Sequence, residues 1–132
     1  MDGSASRASA AANPLGRLKE ILATARGVCR PRGTRLVILF IPSKLRVYRP
    51  ACEFPRDSIC ATWPIDDLPR IVGNLVSRIA PDLDYLDLTP HFQAEAARGE
   101  LLYLADDTHW SAAGHRSAAR AIAEYLGGGS TR

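Results

Sequence analysis

The chain has 132 residues, of which 46% are hydrophobic and 23% are charged, and its formal net charge is +3 at pH 7. These values are ordinary for a globular protein and allow one domain with a sizeable core. The basic residues are scattered and form no stripe with interleaved aromatic side chains, so nucleic-acid binding is not predicted; the longest apolar run, residues 36–42, is too short for a transmembrane segment.

Residues 1–12 are small and polar and predict a disordered tail that lacks the apolar core of a secretory signal peptide. The chain as written is therefore expected in the cytoplasm, or in the periplasm or outside the cell as part of a longer exported protein. Asn13-Pro14 is a typical helix start, and apolar residues then recur at helical spacing to about Gly27. The aliphatic run over residues 34–41 favours a strand buried on both faces of a parallel sheet.

The segment after this strand contains several candidates for a role in a site. Ser43 follows the strand end but has no flanking glycine, which makes it a weak candidate nucleophile. Lys44 is expected either to contact a ligand anion or to be solvated. Residues 45–65 predict a long irregular loop, which can be a lid, a substrate wall or a surface for a partner segment. Cys52 and Cys60 bracket part of it and are expected either as a disulfide or as free thiols.

The second half of the chain predicts two helices around a strand and then a last helix. Asp66-Asp67 predict acids in the first helical turn, residues 83–88 predict a strand, and Thr89 predicts the N-cap of a helix that ends at Gly99. Ser111 predicts the N-cap of the last helix, which three glycines end. His91 is expected to be solvated, and His115 is expected either to pack against its neighbours or to form a supporting hydrogen bond. The pattern predicts one α/β domain over residues 13–126, a three-layer α/β/α sandwich with a small, incomplete parallel sheet, and a tail over residues 127–132.

A cluster of ionisable residues lies between an apolar segment and the last helix. Asp106 and Asp107 come three and two residues before His109, and Trp110 follows. A carboxylate that accepts a hydrogen bond from one ring nitrogen fixes the histidine tautomer and leaves the other nitrogen free as a general base. Trp110 is expected to pack beneath the turn and hold the ring. The alternative is that one aspartate caps a turn and His109 is a surface residue.

Residues 106–115, Asp-Asp-Thr-His-Trp-Ser-Ala-Ala-Gly-His, resemble the last conserved block of SGNH/GDSL-type hydrolases, and more narrowly its Asp-Thr-His-Trp branch of alginate O-acetyltransferase-like proteins. Residues 37–48 and 84–90 are similar to earlier segments of that branch. The resemblance implies an SGNH, flavodoxin-like fold and a substrate that is a small-molecule or carbohydrate O-acyl ester, acetyl above all. It implies His109 as the catalytic base, with Asp107 or Asp106 as its orienting acid.

The chain departs from that family at the nucleophile, because no Gly-Asp-Ser occurs in it. A base without a nucleophile cannot run two-step acyl transfer. The resemblance therefore implies the C-terminal half of an enzyme, inactive alone or completed by a missing N-terminal half or a homo-oligomer, with a non-catalytic binding module as the alternative. No cofactor is expected. Asp106, Asp107, His109 and His115 offer metal-ligand atoms, but their spacing matches no zinc motif, so no metal is predicted.

Overall fold

The structure, a computed structural model, describes residues 13–128. Residues 1–12 and 129–132, which were predicted as tails, lie outside the described part of the chain. Within it no helix is long and apolar enough to cross a membrane. The elements are α1 Pro14–Cys29, β1 Val37–Phe40, α2 Lys44–Tyr48, α3 Ile59–Thr62, α4 Leu68–Ile79, β2 Asp84–Asp87, α5 Thr89–Ala97 and α6 Ala112–Gly128, with 3₁₀ turns at Arg30–Arg32 and Arg49–Ala51.

The two strands pair in parallel, which confirms the predicted α/β class with a small parallel sheet. The N–H of Asp84 donates to the carbonyl of Leu36 at 3.2 Å, and the N–H of Leu88 donates to Phe40 at 3.1 Å. Each strand has four residues, all half-buried, so the prediction of a strand buried on both faces is wrong. A sheet with only two strands among the described residues leaves each strand partly uncovered.

The chain divides into two compact units. The first comprises the residues up to Ile38 together with Arg70–Tyr85, and the second comprises Leu39–Pro69 and the residues from Leu86 on. The prediction of one domain over residues 13–126 stays a prediction. In the first unit, Arg26 of α1 donates to both carboxylate oxygens of Asp82, with its shortest distance 2.7 Å. This fork-to-carboxylate geometry ties α1 to the turn before β2.

An aromatic and aliphatic cluster forms the core of the second unit. The ring of Tyr103 lies edge-on to those of Tyr48 and Phe92, at 6.0 Å and 6.2 Å between centroids. The Tyr103 hydroxyl donates to the carbonyl of Pro42 at 2.6 Å, so its polar atom is satisfied where the ring is buried. Burial raises the pKa of this hydroxyl. The buried members of the cluster are Val47, Leu88, Phe92, Ala96, Leu102, Tyr103, Ala118 and Ala121.

Aspartates outside the helices bind the first free N–H groups of α4 and α5. Asp66 Oδ1 accepts from the N–H of Leu68 at 3.2 Å, and Asp87 Oδ1 accepts from the N–H of Thr89 at 2.8 Å. The predictions of acids within the first turn and of Thr89 as the N-cap are therefore wrong. In both cases the carboxylate lies two residues before the N–H that it caps, where it satisfies a donor that the helix leaves free.

The segment 45–65, predicted to be irregular, is partly helical. Helix α2, a 3₁₀ turn and the single-turn helix α3 occupy much of it, with Ser43 and Ser58 as side-chain caps of the two helices. Cys52 and Cys60 are free thiols, the second of the two predicted states. At its other end the chain remains helical through Gly127 and Gly128, beyond the predicted stop, while Gly99 ends α5 as predicted, with a φ of 89°.

Candidate active site

Residues 102–111 form a narrow loop that places the ionisable cluster directly before α6. Tyr103 and Trp110 form an isolated antiparallel bridge, and the N–H of Leu104 donates to the carbonyl of His109 at 2.9 Å. The N–H of Ser111 donates back to Leu102, also at 2.9 Å. The side chain of Ser111 then accepts from the N–H of Gly114 at 3.2 Å, which confirms the predicted cap of the last helix.

The side chain of Lys44, just after β1, forms hydrogen bonds with this loop. Its ammonium Nζ donates to three main-chain carbonyls, those of Leu104 at 2.6 Å, Ala105 at 2.9 Å and Asp107 at 3.2 Å. An ammonium group has three donors, and three carbonyls use all of them. Neither a solvated nor a ligand-binding Lys44 is therefore correct, and the residue fixes the loop.

The aspartate that contacts His109 is Asp107. The sequence alone left both Asp106 and Asp107 as candidates for this contact. Asp107 Oδ1 accepts from the main-chain N–H of His109 at 2.6 Å, and Asp107 Oδ2 lies 3.2 Å from Nδ1 of the same residue. The side chains are 45% and 84% exposed, respectively, so solvent reaches both groups. The pKa of Asp107 lies below its ordinary value, chiefly because of the main-chain N–H of His109 and further because of the His109 ring and Lys44. Asp106 is exposed, and among the described residues its side chain forms no hydrogen bond or ion pair with His109.

Trp110 packs against two other rings, and no ring pair between Trp110 and His109 is found in the described part of the chain. The indole packs on Phe92 at 5.3 Å and lies edge-on to His115 at 5.4 Å between centroids. His115 is thus a packing residue, the first of its two predicted roles. Around His109 lies an open pocket of about 270 Å³, lined by Ile41, Thr108, His109, Trp110 and His115.

No serine of the described chain donates to His109. Ser43, the candidate after β1, accepts from the N–H of Arg46 at 3.3 Å and caps α2. Ser111 donates to the carbonyl of Leu101 at 2.6 Å, and the hydroxyl of Ser117 is buried. Within residues 13–128, the site therefore contains a histidine with a carboxylate beside it, but no serine hydroxyl bonded to that histidine. No group of three or more metal-binding side chains occurs among these residues either.

Sequence reasoning did not predict the roles of two residues that shape the site. Lys44 was singled out, but its bonds to the loop were not foreseen. Tyr48 was given no role, and its hydroxyl accepts from the N–H of Leu102 at 2.7 Å and donates to the main-chain carbonyl of Glu100 at 3.2 Å. The spacing of a lysine and a tyrosine just after the first strand was the available signal. His91 was also misjudged, since it is half-buried and its Nε2 has no protein partner in the described part of the chain.

Comparison with known families agrees with the resemblance of the Asp-Thr-His-Trp segment. A family model described as "SGNH hydrolase-like domain, acetyltransferase AlgX" matches residues 2–129. The match covers almost the whole sequence, so the chain belongs to this family. No significant match was found among curated proteins or among solved structures.

Proposed function

We propose that this chain carries the acid–base half of an acyl-transfer site that acts on O-acyl esters of carbohydrate, acetyl esters above all. The observation behind the proposal is the contact of both Asp107 carboxylate oxygens with His109, one through the main-chain N–H and one through Nδ1. Membership of an SGNH hydrolase-like acetyltransferase family supports the reaction class.

His109 acts as the general base in this proposal, and Asp107 orients it. With Nδ1 held by Asp107, Nε2 is the nitrogen that removes a proton from an attacking hydroxyl or water, and the carboxylate stabilises the imidazolium that forms. The exposure of the His109 ring leaves Nε2 accessible to an incoming ester. Asp106 has no such contact, so the orienting role falls to Asp107.

A hydroxyl nucleophile from outside residues 13–128 would complete the two-step reaction. Without it, the pair can still deprotonate water, which attacks the ester carbonyl and releases the alcohol and the carboxylic acid. Turnover by the chain alone is therefore expected to be slow. The alternative, a non-catalytic binding module of the same fold, is favoured by the lack of a serine bonded to His109 in the described residues.

Hydrolysis of 4-nitrophenyl acetate by His109→Ala and Asp107→Asn tests the proposal. We expect both variants to hydrolyse the ester more slowly than the wild-type chain, by on the order of tenfold. A complete acid–base site gives more, roughly 10²–10⁴-fold, but no positioned hydroxyl takes part here. Asp107→Asn is nearly isosteric and can still accept the main-chain N–H of His109, so it tests the charge rather than the fold.

His115→Ala is the matched control. His115 is exposed and lines the same pocket, but it has no carboxylate partner in the described part of the chain. An exposed imidazole hydrolyses an activated ester to some extent on its own, and this variant measures that background. Equal rates for wild type, His109→Ala and Asp107→Asn would contradict catalysis and leave the binding module as the function.

A further inference from the structure

A second pocket in the second unit is lined by residues of α2, of the 3₁₀ turn Arg49–Ala51, of α5, and of the end of α3 with the segment that follows it. Its volume is about 440 Å³, which is in the range of small-molecule binding sites, roughly 300–1,000 Å³. The lining combines apolar with polar side chains. None of its residues lines the pocket around His109.

The apolar wall of this pocket is the indole of Trp63, which is 52% exposed. Its main chain is fixed on both sides, because its N–H donates to the carbonyl of Ile59 at 2.8 Å and its carbonyl accepts from the guanidinium of Arg49. Pro64 and Ile65 line the pocket beside it. The ring therefore offers an apolar face on a main chain that is already ordered, so a ligand that covers it pays little for ordering the protein.

Polar groups with unused bonding capacity line the same pocket. The guanidinium of Arg49 donates to two main-chain carbonyls, one at 2.7 Å and the other that of Trp63, which uses two of its five N–H donors. Gln93 donates through Nε2 to the carbonyl of Arg46 at 3.0 Å, which leaves Oε1 as an acceptor. The hydroxyl of Thr62 donates to a carbonyl of α3 at 3.3 Å, and its oxygen can still accept. The pocket thus offers both donors and acceptors to a ligand.

This combination suits a sugar ring better than a hydrocarbon or a phosphate. A hydrocarbon would cover the polar groups of Arg49 and Gln93 without bonding to them, which costs free energy. A phosphate accepts hydrogen bonds but has no donor for Gln93 Oε1 or for Thr62. A pyranose ring has an apolar C–H face that can cover an indole, and each of its hydroxyls both donates and accepts.

We propose that this pocket binds a pyranose ring, with the C–H face of the sugar on Trp63 and its hydroxyls bonded to Arg49 and Gln93. The inference goes beyond the proposed function, because binding here involves neither His109 nor Asp107 and requires no ester group. It assigns to the second unit a carbohydrate-binding site built on α5 and on the segment that contains α2 and α3.

The two tryptophans of the chain provide a direct binding test on the wild-type protein. Trp63 lines the proposed sugar pocket, whereas Trp110 lines the pocket around His109. Each indole N–H gives one signal in ¹H–¹⁵N correlation NMR, and Trp63→Phe assigns the two. The probes are the methyl glycosides of glucose, galactose and mannose, for which a Kd on the order of 1 mM is expected from their size.

We expect at least one of these glycosides to shift the Trp63 signal in a saturable way. Sorbitol is the matched control ligand, because it has the hydroxyl groups of a sugar but no ring to cover the indole, and it should leave the signal unchanged.

Trp63→Ala and Gln93→Leu test the two parts of the site, with saturation-transfer NMR on the sugar signals as the measurement. We expect Trp63→Ala to weaken binding by about tenfold or more, and Gln93→Leu by about fivefold. Ile59→Ala is the matched control variant. Ile59 is 67% exposed on α3 and does not line the pocket, so this variant should bind as the wild type does.

The outcomes separate this inference from the proposed function. Sugar binding that persists in His109→Ala and is lost in Trp63→Ala supports the pocket even if no ester hydrolysis is found. Hydrolysis that depends on His109, together with no shift of the Trp63 signal by any of the three glycosides, overturns the pocket and leaves the catalytic proposal intact. A shift of the Trp110 signal alone, an equal shift with sorbitol, or equal affinity of wild type and Trp63→Ala also overturns it.

Discussion

One carboxylate makes two contacts with His109, a hydrogen bond from its main-chain N–H and a 3.2 Å approach to its ring nitrogen Nδ1. Asp107 receives the main-chain N–H of His109 and lies beside its ring, which orders the loop and the imidazole together. The sequence could predict that an aspartate would contact His109, because only two candidates precede it closely. It could not choose Asp107 over Asp106, because that choice depends on the direction in which the loop turns.

The pKa of Asp107 gives a prediction at this scale. The largest cause of its lowering is the main-chain N–H of residue 109, which alanine retains. We therefore expect His109→Ala to raise the pKa of Asp107 only part of the way to its ordinary value. Carboxyl carbon chemical shifts followed by NMR against pH measure it. A complete return to the ordinary value would show that the ring, and not the main chain, causes the shift.

Lys44 gives a second prediction, since its removal leaves three carbonyls without their donor. We expect Lys44→Met to lower the free energy of unfolding by about 1–2 kcal/mol, in the range for hydrogen bonds to charged groups that remain partly solvated. Amide hydrogen exchange at Leu104 and His109 should become faster. Urea unfolding and exchange NMR measure the two effects.

Lys19→Met is the control for that experiment. Lys19 is exposed on α1, in the first unit, so its substitution should change neither the free energy of unfolding nor the exchange of the loop. If Lys19→Met and Lys44→Met have the same small effect, the three carbonyl contacts do not hold the loop.

At the level of elements, the position of α6 against the loop depends on one glycine. A Cβ at Gly114 would lie 2.1 Å from the carbonyl oxygen of Leu102 and 3.0 Å from Cβ of Trp110. Because the nearer atom belongs to the main chain, a larger residue must move the loop or the helix. The sequence shows Gly114 as a small residue within a predicted helix, but only the structure shows that it lies against Leu102 and Trp110.

Gly114→Ala should therefore destabilise the protein although alanine favours helix. We expect a loss of about 2 kcal/mol, since a contact this close favours the upper end of the overpacking cost, about 3 kcal/mol, and helix propensity offsets about 1 kcal/mol. Gly127→Ala, on the same helix with no atom near the added methyl, should be neutral or stabilising. Thermal and urea unfolding compare the two; equal effects would show that α6 does not pack closely on residue 102.

At the scale of the whole molecule, the sequence predicted the α/β class, the last helix and the position of the ionisable cluster. These follow from local patterns, namely periodicity, capping residues and a short motif. The helical turns within residues 45–65 have local caps, Ser43 and Ser58, which sequence reasoning overlooked. The three contacts of Lys44 were not predictable, because the partners lie 60 to 63 residues away along the chain. The two-unit division likewise depends on contacts between distant segments.

In the first unit, the ion pair of Asp82 with Arg26 is predicted to lose its stabilising effect in acid. The pKa of Asp82 is lowered chiefly by its hydrogen bonds to Arg26. A carboxyl whose pKa is depressed by folding stabilises the protein above its unfolded pKa, about 3.9 for aspartate, and loses that effect as the pH falls through the folded value. Asp82→Asn should therefore be less stable than wild type at pH 7 and equally stable near pH 2. A difference that persists near pH 2 would show that the ionised carboxylate is not the cause.

The tautomer of His109 tests most directly the proposal that Asp107 orients the His109 ring and leaves Nε2 free as a base. Long-range ¹H–¹⁵N correlation NMR, at a pH where the ring is neutral, identifies which nitrogen carries the proton. The account predicts a proton on Nδ1, held by Asp107, and a bare Nε2, with this preference lost in Asp107→Asn. A proton on Nε2 in the wild-type chain, or the same tautomer in wild type and Asp107→Asn, would contradict it.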